Sequence, residues 1–350
     1  MILARIDQRG AIIIAFHGHR TAKRARRVRR LAVLALPLLA GCEGQQSVLA
    51  PAGADAETLA GLFWIMLAGA IVLWCLVNGL MFYVTRMNPR AMSARGAWML
   101  IVGGGIVFPT VVLAILLSYA LSIMPDQRAQ GDGMRVEVTG KQWWWQVAYW
   151  PEGAESPVVT ANHIVLPTGA RAEITLNAEK VIHSFWIPAL GGKTDMIPGR
   201  TNRMSLEPTV PGEYRGQCAE FCGESHAEMA FGVEVLTPED FDAWLAREAA
   251  PAQAPQTDLA REGRDIFLAE GCGGCHAVRG TPARGTVGPD LTHLASRTLL
   301  AAGALPMERE ALIDWIADPE SVKPGARMPA YDHLPRERIV AMAAYLEGLE

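Results

Sequence analysis

At 350 residues, half of them apolar, and with a formal net charge of −4, the chain is long enough for two or three domains. It carries no basic excess of the kind that neutralises phosphates, which argues against nucleic acid as a partner. Its six cysteines, Cys42, Cys75, Cys218, Cys222, Cys272 and Cys275, include two tight pairs, so their spacing is more informative than their number.

Residues 1–42 read as an exported leader. Arg20, Lys23, Arg24, Arg26, Arg27, Arg29 and Arg30 precede the apolar run LAVLALPLLAG, which is too short to span a bilayer. The stretch LAGC at 39–42 resembles the bacterial lipobox and predicts cleavage before a lipidated Cys42. An ordinary signal peptide or an overlong gene start is the other reading, because the stretch before Arg20 is long for such a leader. Residues 43–125 are expected to form a transmembrane hairpin, with helices at about 59–84 and 97–124, since two uncharged apolar stretches each exceed the roughly 20 residues needed to cross the hydrocarbon. The loop between them holds Arg86, Arg90 and Arg95 and no acid, which places it in the cytoplasm and everything after about residue 125 outside. Free thiols there oxidise unless committed to cofactors.

Residues 130–249 predict an all-β domain. Segments such as MRVEVTG, NHIVLP and ARAEITLN alternate, with Ala172, Ile174 and Leu176 apolar between Glu173 and Thr175. Turn signals in PTG, IPGR and VPGE separate the strands, which suits a Greek-key sandwich or barrel, and PEDFDAWLARE closes the region as a helix. The Pro/Ala/Gln stretch at 250–258 reads as a linker. Beyond it the period turns helical in LAREGRDIFLAEG, EREALIDWIAD and RERIVAMAAYLEGL, predicting a small all-α domain over 259–350.

That domain opens with CGGCH, the attachment pattern for c-type haem. Cys272 and Cys275, one turn apart, can add to the two vinyl groups of a porphyrin while His276 reaches its iron. A redox or zinc Cys pair with an incidental histidine is the competing reading. Met328 in KPGARMP is the candidate second axial ligand, because a thioether raises the potential above that of a second histidine. It could instead be core filling, a role that Met307 and Met342 suit better by falling in helical patterns, and His293 and His333 are rival ligands. The stretch GPDL at 288–291 resembles the class I cytochrome c loop, which implies that the Pro289 carbonyl orients His276. Gly263, Phe267 and Tyr345 match that family's packed helix pair.

CAEFCGESHAEM at 218–229 puts two cysteines, a histidine and a methionine on one loop, with His183 supplied from VIHSFWIP. Two cysteines and two histidines suit structural zinc. The thioether of Met229 favours copper, softness being the main selector among first-row metals, and two thiolates four residues apart can bridge a pair of metals.

With GKQWWWQVAY, VIHSFWIP, GGKTDMIPGR, GQCAEFCGESHAEM and CGGCH together, the chain resembles subunit II of cytochrome c oxidase carrying a fused C-terminal cytochrome c domain, from about residue 50 to the end. The resemblance implies a cupredoxin fold with a dinuclear CuA centre. Cys218 and Cys222 would bridge, His183, His226 and Met229 would be terminal ligands, and Glu220 would give copper its carbonyl and magnesium its carboxylate at the boundary with subunit I. It further implies that electrons arrive over Trp145, with Trp143 and Trp144 mostly packing. Implied partners are subunits I and III, a donor cytochrome c or the bc1 complex, and membrane lipid, with the globular domains periplasmic on a bacterial cytoplasmic membrane. Another terminal reductase, such as a CuA-containing nitric oxide reductase, is the alternative. One departure is Arg95, where related subunits place a glutamate near a proton channel, and this puts proton uptake by that route in question.

Overall fold

The computed structural model describes residues 4–6, 12–14, 43–87, 92–124, 129, 131 and 134–350. Cys42 and most of the expected leader lie outside the described residues. Met1–Gly44 form one unit, within which Ala4–Ile6 pairs antiparallel with Ile12–Ile14. All that follows concerns the second, Gln45–Glu350.

Two helical spans come first: α1, Ala54–Phe82, prolonged by a π-helical turn through Met87, and α2, Ala94–Ile123. Both are long and apolar enough to cross a membrane, with mean hydropathies of 2.4 and 2.6 and side chains that face outward throughout the apolar window. Each starts before the position that hydropathy indicates. The first turn of α1 is polar and seated on the β domain: the Ala54 amide donates to the Glu207 carbonyl at 3.0 Å, and buried Asp55 pairs with Arg171 at 3.1 Å. At the start of α2 the Ser93 hydroxyl accepts from the Gly96 amide at 3.2 Å, an N-cap that hydropathy does not register.

Ten strands then form two five-stranded sheets. They are β1 (Arg135–Lys141), β2 (Trp144–Trp150), β3 (Val158–Ala161), β4 (His163–Pro167), β5 (Ala172–Ala178), β6 (His183–Trp186), β7 (Thr194–Met196), β8 (Asn202–Leu206), β9 (Gly212–Cys218) and β10 (Ala230–Leu236). The sheet orders are β8-β5-β1-β2-β3 and β4-β10-β9-β6-β7. Only the pairs β1 with β5 and β10 with β4 run parallel among the paired strands described, and these crossovers make the topology a Greek key rather than a meander. The period-two reading holds in β5, where Ala172, Ile174 and Leu176 are buried and Glu173 and Thr175 are not. Between the sheets lies one core that includes Trp145, Tyr149, Phe185 and Phe231. Helix α3, Pro238–Ala249, closes it by packing Trp244 edge-on to Tyr149 at 5.1 Å.

The segment read as a linker is bonded to the helical domain after it: the Ala252 amide donates to Arg279 O at 3.0 Å, and His293 Nε2 lies 3.0 Å from Ala250 O. That domain comprises α4 (Asp258–Ala269), α5 (Arg309–Ala317), α6 (Pro319–Val322) and α7 (Arg336–Leu346) around a second core. Helices α4 and α7 cross at Gly263, where a Cβ would sit 1.8 Å from the Ala341 carbonyl oxygen, so only glycine admits the approach. One turn on, Phe267 meets Tyr345 edge-on at 5.6 Å, as the sequence pattern suggested.

Candidate functional site

The loop from β9 to β10 brings the expected metal ligands together. Its ends are tied by the Cys218 amide to Met229 O at 2.8 Å, and its interior by the His226 amide to Gly223 O and the Met229 amide to His226 O, each at 3.2 Å. His183 opens β6, which pairs with β9 so that Phe185 lies opposite Cys218, and this carries the imidazole under the loop. Among the described residues, His183, Cys218 and Cys222 form a buried group with ligand atoms within 4.8 Å of one another.

The two sulfurs lie 3.8 Å apart. That is far beyond the roughly 2.05 Å of a disulfide and suits atoms sharing the same ions. His183 Nδ1 lies 3.8 Å from Cys218 Sγ, and Cys222 Sγ is 3.6 Å from His226 Nδ1 and 3.7 Å from Met229 Sδ. The Glu220 carbonyl oxygen is 3.2 Å from Cys218 Sγ, while its carboxylate points elsewhere, 3.9 Å from Lys193 Nζ. The hydrogen bond between the two sulfurs lowers the pKa of Cys218 and raises that of Cys222, so the pair readily yields one thiolate and resists giving the second proton. A bound metal would supply the positive charge that releases both. Two thiols, two imidazoles, a thioether and a carbonyl exceed the four ligands of closed tetrahedral zinc and fit a pair of soft ions.

The helical domain builds the second site. After α4, Gly271 turns the chain at φ 78° into the one-turn segment Cys272–Gly274, and the His276 amide bonds Cys272 O at 3.0 Å. His276 Nδ1 lies 2.8 Å from Pro289 O. A carbonyl only accepts, so Nδ1 carries the proton and Nε2 keeps a free lone pair. Burial lowers the imidazole's pKa and reinforces that neutral form. Cys272, Cys275, His276 and Met328 line one cavity of about 610 Å³. His293 and His333 are not among its walls; the first is bound to Ala250, and the second is exposed beside Tyr331. Met342 is buried on α7 as expected, whereas Met307 precedes α5 and only partly packs on the core.

The β domain completes this cavity. Lys141, Trp143 and Trp144 form part of its wall, whereas Trp145, the tryptophan expected to receive electrons, is not among the lining residues. Trp145 is 0% exposed and packs against Phe231 at 5.1 Å and Phe185 at 5.9 Å, with no partner for its Nε1 among the described residues. Trp143, in the turn just before β2, stands at the rim: its indole N–H donates to the Cys222 carbonyl at 3.1 Å.

Lys323 was missed by the sequence reading. Its Nζ meets three carbonyl oxygens, of Trp143 at 2.6 Å and of Glu228 and Ala301 at 2.9 Å. Burial pushes its pKa down to about 7, but a neutral amine has only two hydrogens to give, and three short carbonyl bonds therefore require the ammonium. The only cue in the sequence is a lysine just before Pro324 and Gly325, in the same loop as Met328.

Residues 150–236 match the family model described as cytochrome c oxidase subunit II, periplasmic domain, and residues 260–350 match that of cytochrome c. Cytochrome c oxidase subunit 2 of Alkalihalophilus pseudofirmus is 41% identical over 226 residues, covering 65% of this chain and 64% of that protein. The protein of the same name from a Bacillus species is 36% identical over 253 residues, covering 69% of each. A crystal structure of the periplasmic domain of subunit II of cytochrome oxidase from Bradyrhizobium japonicum is 30% identical, with a TM-score of 0.32, covering 34% of this chain and 95% of that one.

The placement of Trp145 in the core predicts that Trp145→Ala lowers unfolding stability by about 3–5 kcal/mol in equilibrium denaturation of the purified protein. A loss below about 1 kcal/mol would contradict that placement.

Proposed function

This chain belongs to the cytochrome c oxidase subunit 2 family, and we propose that it is the electron-accepting subunit of the oxidase, passing electrons from a donor cytochrome by way of haem c and CuA to subunit I for reduction of oxygen to water. The family makes it part of a haem-copper oxidoreductase complex and a membrane-anchored protein. In this reading the anchor lies in a bacterial cytoplasmic membrane with both globular domains periplasmic, and subunit III completes the assembly. The donor is a cytochrome c or the bc1 complex. Oxygen chemistry belongs to subunit I, and no residue of this chain performs it.

One observation carries the proposal: the wall of a single cavity holds Cys272, Cys275 and His276 together with Trp143, whose indole is bonded to the Cys222 carbonyl. Cys272 and Cys275 would hold haem covalently, with His276 and Met328 on its iron and Pro289 fixing the His276 tautomer. Cys218, Cys222, His183, His226, Met229 and the Glu220 carbonyl would hold two coppers. When bound, these groups supply reversible one-electron chemistry. The residues around them hold the geometry, and the burial of His183, Cys218 and Cys222 lowers the reorganisation that transfer at that site requires. Trp143, rather than Trp145, is the proposed contact between the sites. The Glu220 carboxylate, set away from the thiols, is the proposed ligand of magnesium at the boundary with subunit I.

Replacing Cys222 by serine is expected to abolish the dinuclear centre, because one bridging thiolate cannot hold two coppers in place. Metal analysis and the mixed-valence spectrum of the purified variant check this, and two coppers with an unchanged spectrum would refute the ligand assignment. Met328→His is expected to keep covalent haem and lower its reduction potential, since two histidines favour ferric iron more than histidine with methionine. Redox titration of the haem band reads this out, and an unchanged potential would remove Met328 from the iron.

A further inference from the structure

The two globular domains meet through more than a tether. Lys323 lies in the helical domain and is 3% exposed, yet two of the three carbonyls on its Nζ, those of Trp143 and Glu228, belong to the β domain. Around it, the buried Ser225 hydroxyl donates to the Pro324 carbonyl and Arg215 Nη2 donates to Gly303 O at 3.1 Å. Gly325, at φ 78°, lies so close that a Cβ there would sit 2.7 Å from the Trp143 ring. A lysine that only braced its own loop would take carbonyls of its own domain, and here only Ala301 is one. The arrangement satisfies all three ammonium hydrogens in a single relative placement of the domains. Taking the lysine away would leave the buried Trp143 carbonyl and the half-buried Glu228 carbonyl without this donor.

We infer that Lys323 is a latch that holds the helical domain in one fixed pose on the β domain, with Trp143 clamped between the two sites, so that transfer between them proceeds without a docking step. Lys323 is thus a positioning residue: it touches neither expected metal ligand set and acts through the backbone of Trp143. The inference rests on reading the two sites as haem and copper centres, but the pose itself can be measured without their redox chemistry.

The test compares wild type, Lys323→Met and Lys323→Gln in the purified, fully loaded complex, first by hydrogen exchange. Lys323→Met is expected to lose amide protection at 141–145, 226–230 and 299–303, while α4 and α7 keep theirs; Lys323→Gln, with two hydrogens to donate, falls between. Flash-initiated haem-to-copper transfer should slow by about tenfold or more in Lys323→Met, since misplacement by about 1 Å can cost a hundredfold. It should also acquire a dependence on solvent viscosity that wild type lacks, with both potentials unchanged. Unchanged protection together with an unchanged, viscosity-independent rate would overturn the latch. So would loss of protection across α4 and α7, or failure of both variants to accumulate with haem, because either result marks Lys323 as a residue of the domain's own fold. Altered exchange in a protein that proves to carry neither haem nor copper would sustain the latch and refute the functional reading instead.

Discussion

Trp143 is bound at both ends. Its indole N–H holds the carbonyl of Cys222 at 3.1 Å, inside the metal loop, and its own carbonyl takes the Lys323 ammonium at 2.6 Å. Its neighbour Gln142 bonds the same Cys222 carbonyl at 3.0 Å. Three chain segments distant in sequence, the β1–β2 turn, the ligand loop and the loop before Met328, thus converge on one residue. A shift in any of them moves the other two, and the spacing between the thiols and the helical domain's cavity follows from that convergence.

The contact between the domains is unusually polar for something so buried, and its polarity suits positioning more than adhesion. An apolar patch of the same area would hold the domains together but tolerate sliding, because the hydrophobic effect has no direction. Hydrogen bonds to named carbonyls fix one register, and any misalignment leaves a desolvated group unpaired at about 1–3 kcal/mol each. Arg279 adds to this at the far edge, donating to Val159 O at 3.0 Å from the helical domain while pairing with Asp290 at 3.1 Å. Arg171 works in the same way at the other end of the β domain, joining Asp55 on α1 to Glu207 at 2.9 Å. Two polar junctions, one toward the apolar helices and one toward the helical domain, thereby orient the β domain between them.

What the sequence disclosed was what local spacing encodes. CGGCH, the Cys218–Met229 cluster, the alternation in β5 and the two apolar spans are all set within a few turns or one strand, and each appears where it was read. The starts of α1 and α2 were misplaced because a buried polar turn and a serine cap leave no mark in hydropathy. The run QWWWQ does not disclose which tryptophan reaches the shared wall: Trp145 lies inside the core, while Trp143 sits in the turn before β2 and lines the cavity. The segment 250–258 has the composition of a free tether, but Arg279 and His293, which hold its backbone, come from residues well downstream. Lys323 was beyond reach for a like reason, since its three acceptors come from residues 143, 228 and 301 and no window contains them.

If Trp143 is the contact through which the two sites communicate, flash-induced electron transfer from haem to copper slows by about tenfold or more in Trp143→Gln, with both absorption spectra and both potentials unchanged and the copper content intact. A wild-type rate in that variant would contradict it and move the contact to another residue of the shared wall.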